Sequence, residues 1–457
     1  MWRFFYTLFH TISGVSRWAQ RRFTRAGMLA LCTLVLSAVF GVDTSLTVAY
    51  QLFTLLLALL AIALVLAWFG RTPLVVQAHL PLTLTAGEPF ALRFTVRNTS
   101  NAALDGVALR AELADPRPPF AAFRARLRFP TYRGWVHLTG TNRIADLDEA
   151  AVPPLAAHGV AEIEARGRAL RRGRLRITGI DTARTEALGL MRRLLPAVGA
   201  AGAEGTAGAA GAVTGTGAAD AVGAADICVL PKRYRLPMFS LPGARRHQPG
   251  GLPQGSSVGD SEEFLGLRDY RPGDSLQRIH WRSFARAGKP VVKEYQDEFV
   301  ARHALVLDTF GAAGDEAIFE EAVAVAATFA WTIDTQECLL DLVFAGTEIH
   351  TFTSGHGHLM PGRLLEVLAG VAISTGADPA TGLGTLARAV CARREQLSGC
   401  VCILLHWDEA RRALLDALRA GGATVLPLLI AAAAPDPLPA GIKVLHPGRI
   451  AQDLAAL

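Results

Sequence analysis

The sequence predicts a multidomain chain: a transmembrane α-hairpin, then an all-β sandwich, then an α/β doubly wound domain. Three observations predict this order. Two apolar runs near the start carry no charge, a middle stretch alternates apolar and polar residues over short segments, and from Asp226 onward apolar strands alternate with helices. A length of 457 residues accommodates several domains. With 51% hydrophobic and 19% charged residues, and a mean hydropathy of +0.29, a disordered or collagen-like chain is excluded.

Residues 26–70 hold the two uncharged runs, Ala26–Val42 and Thr47–Gly70. About 20 apolar residues in a helix cross a bilayer core of about 30 Å. The second run meets this length and the first lies at its short edge. The intervening Asp43–Thr44–Ser45 predicts a tight connection. Residues 1–25 form a basic segment with Arg3, Arg17, Arg21, Arg22 and Arg25 and no acid. By the positive-inside rule both ends of the chain are expected on the cytoplasmic side, in a bacterial inner (cytoplasmic) membrane protein of multi-pass type. The length of the charged region and the second run argue against a cleaved signal peptide. Trp2, Phe4, Phe5, Leu8, Phe9, Ile12 and Val15 fit either an interfacial helix or an untethered tail.

Residues 72–196 read as the sandwich, of immunoglobulin-like type. Within 83–100, Phe90, Leu92, Phe94 and Val96 alternate with Ala91, Arg93, Thr95 and Arg97. Segments 107–113, 159–166 and 173–180 repeat the pattern between Gly, Pro and Asn turns. Residues 197–226 read as a linker, since 198–225 contain 8 Gly and 12 Ala. Beyond it, strands are expected at 301–310, 337–346, 399–407 and 423–432. Helices are expected at 316–333, 363–373, 385–395 and 409–422, which together predict a mostly parallel sheet. The six cysteines form no C-x-x-C pair and read as reduced packing thiols, with Cys400 and Cys402 on one strand face.

Residues 227–298 carry the densest chemistry, in Gly259–Glu298. Arg271–Pro272–Gly273–Asp274 predicts a turn, followed by a helix over Leu276–Ala287 stopped by Gly288 and a strand over Pro290–Tyr295. Ile279 and Phe284 are expected to face inward, and Arg278, Arg282 and Arg286 to share a helix face. Phe264, Gly266, Leu267, Arg268, Tyr270, Gly273, Asp274, Arg278, Ile279, Trp281, Ala285 and Arg286 follow the pattern F-x-G-L-R-x-Y-x-x-G-D-x-x-R-x-I-x-W-x-x-x-A-R. In this the chain closely resembles the domain-of-unknown-function 58 (DUF58) family.

The resemblance implies a membrane-anchored protein whose residues 299–457 form a von Willebrand factor A-like α/β domain. It also implies partners: a MoxR-type AAA+ ATPase and, in some members, a transglutaminase-like membrane protein. No enzyme activity attaches to the family. The expected role is therefore a non-enzymatic scaffold that docks partners through this motif, with Arg271 and Arg282 joining the residues above. The bland alternative is that the motif only locks itself onto the α/β domain.

A divalent-metal-dependent binding module is the competing expectation. A-type domains hold Mg or Mn through Asp-x-Ser-x-Ser, but here the strand ends in Asp308–Thr309–Phe310–Gly311–Ala312, with both serines lost. Thr385 and Asp408 are candidates for the remaining ligands. No resident cofactor is expected. His280 with Asp274 or Glu263 lacks an arranged nucleophile. His350, His356 and His358 read as a surface loop. Walker A, H-E-x-x-H and G-x-S-x-G patterns are absent. The net charge of +6 does not call for nucleic acid, because five arginines lie in the first 25 residues, where anionic lipid accounts for them.

Overall fold

The computed structural model describes residues 1–40, 47–68, 73–204, 225–236, 264–272, 274, 276–295, 301–312, 314–333, 338–346, 348–354, 361–374, 378–393, 397–422, 424–433, 439 and 441–457. The chain divides into two compact units, residues 1–232 with 366–370, and residues 233–365 with 371–457.

The first unit opens with three helices: α1 (Trp2–Arg22), α2 (Arg25–Phe40) and α3 (Thr47–Trp68). Val48–Trp68 is long and apolar enough to cross a membrane, whereas Arg25–Val39 is shorter. At 1.5 Å per residue, the 16 residues of α2 reach only about 24 Å. Among the described residues one helix, α3, is thus long enough to span, and α2, described as far as Phe40, packs against it.

Strands β1 (Leu74–Pro81), β2 (Thr83–Thr85), β3 (Pro89–Asn98) and β4 (Val107–Leu113) follow, then helices α4 (Phe120–Arg126) and α5 (Tyr132–Thr141). Next come β5 (Ala145–Leu147), β6 (Ala150–Ala151), β7 (Val160–Ala169), β8 (Gly173–Thr185), β9 (Arg192–Pro196), β10 (Val198–Glu204) and β11 (Ala225–Leu230). One sheet runs β10-β1-β3-β7-β5 and the other β2-β11-β8-β4-β6, with β9 added against β8. A single core joins them: Val76, Leu92, Phe94 and Val96 from the first meet Leu109, Leu175, Ile177 and Val229 from the second. The alternation read in 90–97 is this burial pattern, with Leu92, Phe94 and Val96 turned inward.

The linker expected at 197–226 gives way at both ends. Val198–Glu204 is a parallel edge strand on β1, and Ala225–Leu230 pairs with both β8 and β2. Small residues do not prevent this, because ladder hydrogen bonds come from the backbone. The boundary between units accordingly falls after Lys232 rather than at 196.

Among the described residues, the second unit has β12 (Phe264–Asp269), α6 (Trp281–Ala287) and β13 (Val291–Tyr295) as its first strands and α-helix. It continues through β14 (Ala301–Leu307), α7 (Glu316–Thr332), β15 (Cys338–Ala345), β16 (Ile349–Ser354), α8 (Pro361–Gly370), α9 (Pro379–Cys391), β17 (Gly399–Leu404), α10 (Glu409–Ala420), β18 (Thr424–Ile430), β19 (Lys443–Leu445) and α11 (Ile450–Ala455). The main sheet has the order β16-β15-β14-β17-β18-β19. Every neighbouring pair is parallel except β15–β16. Fully buried strands such as β17, where every residue is covered, are the near-continuous apolar runs seen in the sequence. The strand order reverses direction between β14 and β17, so a crevice is expected at their carboxyl ends.

Candidate functional site

Two arrangements draw on the sequence-predicted residues: the β12–β13 hairpin and the carboxyl end of β14 and β17.

In the hairpin, β12 pairs antiparallel with β13, Leu267 facing Lys293 and Arg268 facing Val292. Arg268 forms a two-pronged bond to Asp274, Nη1 to Oδ2 at 2.7 Å and Nη2 to Oδ1 at 2.8 Å. The same carboxylate accepts the Arg271 backbone N–H at 2.8 Å. These bonds, led by that from Arg268, hold the Asp274 pKa down at about 2. The planar guanidinium suits this grip, and the five-residue gap lets it close the turn on itself.

The helix expected over Leu276–Ala287 does not form as one piece. Leu276–Arg278 makes a single 3-10 turn, Ile279 bridges to Val292, and the His280 N–H donates to Val291 O at 2.8 Å. Those sheet bonds take the backbone out of helical geometry, so α6 starts only at Trp281. Arg282 and Arg286 therefore share a helix face, but Arg278 precedes it. Ile279 is buried as expected. Phe284 is not; it is 36% exposed.

The motif thus splits into two sets. Arg268, Asp274 and Ile279 hold the segment together, and Tyr270 ties its backbone N–H to Pro290 O at 2.9 Å. Leu267, Leu276 and Trp281 stand out, Trp281 at 63% exposure with Phe284 edge-on at 6.0 Å. Arg271, Arg282, Arg286 and Lys289 of the same segment are exposed as well. Residues 264–295 hold seven basic and three acidic residues, so the exposed surface is apolar within a positive field. Gly273, Glu263, and the side chains of Phe264 and Arg278 lie outside the described residues, as do His356 and His358; β12 carries Gly266 beside a register shift.

His280 and Asp274 take separate partners. The His280 Nδ1 lies 2.7 Å from Ser283 Oγ, while Asp274 faces Arg268. His350, on the edge strand β16, packs against both Phe344 and Phe352.

At the sheet's carboxyl edge, Asp308 follows β14 and is fully covered. It accepts backbone N–H groups of Phe310 at 2.9 Å and Leu405 at 3.2 Å. Arg411, one turn into α10, donates from Nε to Asp308 Oδ2 at 2.9 Å. It also bonds Asp408, which caps α10, and the Phe310 carbonyl. Burial pushes the Asp308 carboxyl up, against the pull of Arg411. For Arg411, burial works against the charge, but the two carboxylates outweigh it and raise its pKa.

Asp308 and Asp408 do converge, and the group between them is a guanidinium. Thr385 is not brought in; its hydroxyl donates to Thr381 O at 2.8 Å and accepts from Arg388 at 2.9 Å, within α9. Gly382 on α9 is where Phe310 seats, since a Cβ there would fall 2.1 Å from the ring. Nearby Asp315 accepts from Ala312 N at 2.6 Å and lies 2.7 Å from His406 Nε2. Burial raises the Asp315 pKa, but the His406 and backbone bonds outweigh it and lower it. Sequence reading missed Arg411, Asp315 and His406. An arginine three residues after the capping Asp408 was the available signal for the first. Among the described residues, no three His, Cys, Asp or Glu side chains are grouped to hold a metal ion.

No curated protein matches the chain. Solved structures give faint likenesses. An ASH/PapD-like domain of human CEP192 is 11% identical, over 28% of this chain and 87% of that one, with a TM-score of 0.15. A GH20 exo-β-N-acetylglucosaminidase from Vibrio harveyi is 9% identical, over 82% and 78%, with a TM-score of 0.16. At such scores neither bears on fold or function. Residues 266–439, which hold the hairpin from Gly266 onward and the Asp308–Arg411 pair, match the family described as "Protein of unknown function DUF58".

Proposed function

We propose that the protein is a membrane-anchored, non-enzymatic adaptor that docks a partner protein through the β12–β13 hairpin. The observation that carries this is the exposed Trp281, edge-on to Phe284, on a short helix that also exposes Arg282 and Arg286. A large aromatic in water on a self-braced frame is the composition of a binding hot spot. The positive field favours an acidic partner surface with an apolar pocket. By the family resemblance, that partner is a MoxR-type AAA+ ATPase, with a transglutaminase-like membrane protein as a further associate.

Two finer readings accompany it. The strand order, with its single antiparallel edge strand and the acid at the end of β14, supports a von Willebrand factor A-like domain. A hairpin of α2 and α3 in the inner membrane, with both chain ends cytoplasmic, is supported at its base. Thr24, before α2, donates to Gly189 O at 2.6 Å, while Ala63 and Ala67, near the end of α3, pack with the adjacent Met191. Both open ends of the helix pair thus meet one turn of the sandwich.

Co-purification with a co-expressed MoxR-type ATPase tests the function. Wild type is expected to retain the ATPase, and Arg282→Ala with Arg286→Ala to lose it. Full retention by that variant would place docking elsewhere.

A further inference from the structure

Helix α1 has two apolar faces, and among the described residues one of them is packed and the other exposed. Trp2, Tyr6 and Phe9, spaced by four and three residues, pack on Phe123 of α4 and Trp135 of α5. Phe123 and Trp135 are fully covered. Charged bonds fix the C-terminal half of the helix: Arg17 Nη1 meets Asp115 Oδ1 at 2.5 Å, and Arg21 meets Glu112. Arg117 adds a bond from Nη1 to His10 O at 3.0 Å. The untethered-tail reading therefore falls, and two of the five N-terminal arginines are already paired with protein acids.

The opposite face carries Phe4, Leu8, Ile12, Val15 and Trp18, again at helical spacing of three and four residues. All five are exposed, Phe4 by 67%. Tyr132, whose ring meets Phe9 at 5.6 Å, is itself exposed. Water is a poor neighbour for such a stripe, and no described residue of the first unit covers it.

We propose that this face of α1 lies in the interface of a phospholipid bilayer, making α1 an in-plane clamp between the membrane and the α4–α5 segment. Continuity argues for lipid. α1 ends at Arg22 and α2 begins at Arg25, and the Thr24 N–H donates to Leu190 O at 3.0 Å at the same sandwich turn that receives the end of α3. The stripe thus adjoins the foot of the membrane span. Arg22 and Arg25, at the elbow, stand where phosphate headgroups lie. A helix with an apolar lipid face ordinarily has a polar reverse; here the reverse is aromatic because a protein surface covers it.

The inference rests on α3 crossing the membrane, and one experiment separates the two. The full chain is reconstituted into phospholipid vesicles with brominated acyl chains, and tryptophan emission is compared among wild type, Trp18→Phe and Trp68→Phe. Both residues are exposed, so neither change disturbs the fold. The difference spectra isolate Trp18 on α1 and Trp68 at the end of α3. Bromine quenching of both supports the proposal. Quenching of Trp68 without Trp18 overturns it and leaves the span intact, as cover by a second copy or another protein would. Quenching of neither overturns the membrane anchor and the inference with it.

Discussion

Arg411 and Asp308, 103 residues apart, meet at 2.9 Å with side chains 3% and 0% exposed. The pair sits where the sheet order reverses, the place at which open α/β sheets usually receive ligands. Here the crevice is closed by the chain itself. Taking two charges from water is costly unless each is fully bonded, and both are.

Removing one partner strands the other. Arg411→Met is expected to destabilise the protein by about 3–5 kcal/mol, while Arg411→Met with Asp308→Asn costs less than the two single changes together. Thermal unfolding of the four proteins measures the coupling. Because the guanidinium stands between Asp308 and Asp408, millimolar Mg²⁺ or Mn²⁺ is expected to leave the wild-type unfolding temperature unchanged. A cation-dependent rise would revive the metal-dependent module.

Exposed and bracing positions of the hairpin should separate. Trp281→Ala is expected to shift stability by no more than about 0.5 kcal/mol, yet to weaken partner capture by about 30-fold or more, as a hot-spot residue does. Arg268→Lys keeps the charge but loses the two-pronged grip on Asp274. Faster amide exchange across the turn at Tyr270–Asp274 would register the loss.

The junction of α2 with the sandwich depends on a close backbone approach. A Cβ on Gly27 would fall 1.9 Å from the Leu190 carbonyl oxygen. Gly27→Ala is therefore expected to cost about 1–3 kcal/mol through forced displacement, visible as a lower unfolding temperature in detergent micelles.

The α1 clamp should loosen in acid. Burial raises the Asp115 pKa, but hydrogen bonds from Arg17 and Arg117 outweigh it and hold it below 3.8. A depressed acid stabilises the fold fully above that ordinary value, and the contribution is lost as pH falls below it. Amide exchange of α1 should rise on acidification through that region, and Asp115→Asn should weaken the clamp at neutral pH and flatten the response.

Faces were legible in the sequence; partners were not. The alternation at 90–97 marked Leu92, Phe94 and Val96 as core, and Asp308 was visible as a strand-terminal acid. The pattern Phe264 to Arg286 marked the segment, yet did not show strand β12 or divide bracing Arg268 and Asp274 from outward Trp281 and Arg282. The bridge from Ile279 to Val292 that breaks the helix is a tertiary effect, which overrides local propensity. Arg411 reaching Asp308 and Trp2 reaching Phe123 join residues more than 100 positions apart, beyond any periodic signal. The Ala/Gly strand 198–204 has no side-chain pattern, because its pairing is backbone alone.

Amide hydrogen exchange of the full chain, with and without the MoxR-type ATPase, tests the adaptor reading most directly. The account predicts slowed exchange in β12, α6 and β13, with Trp281→Ala abolishing the effect. Binding that leaves 264–295 unprotected would contradict it.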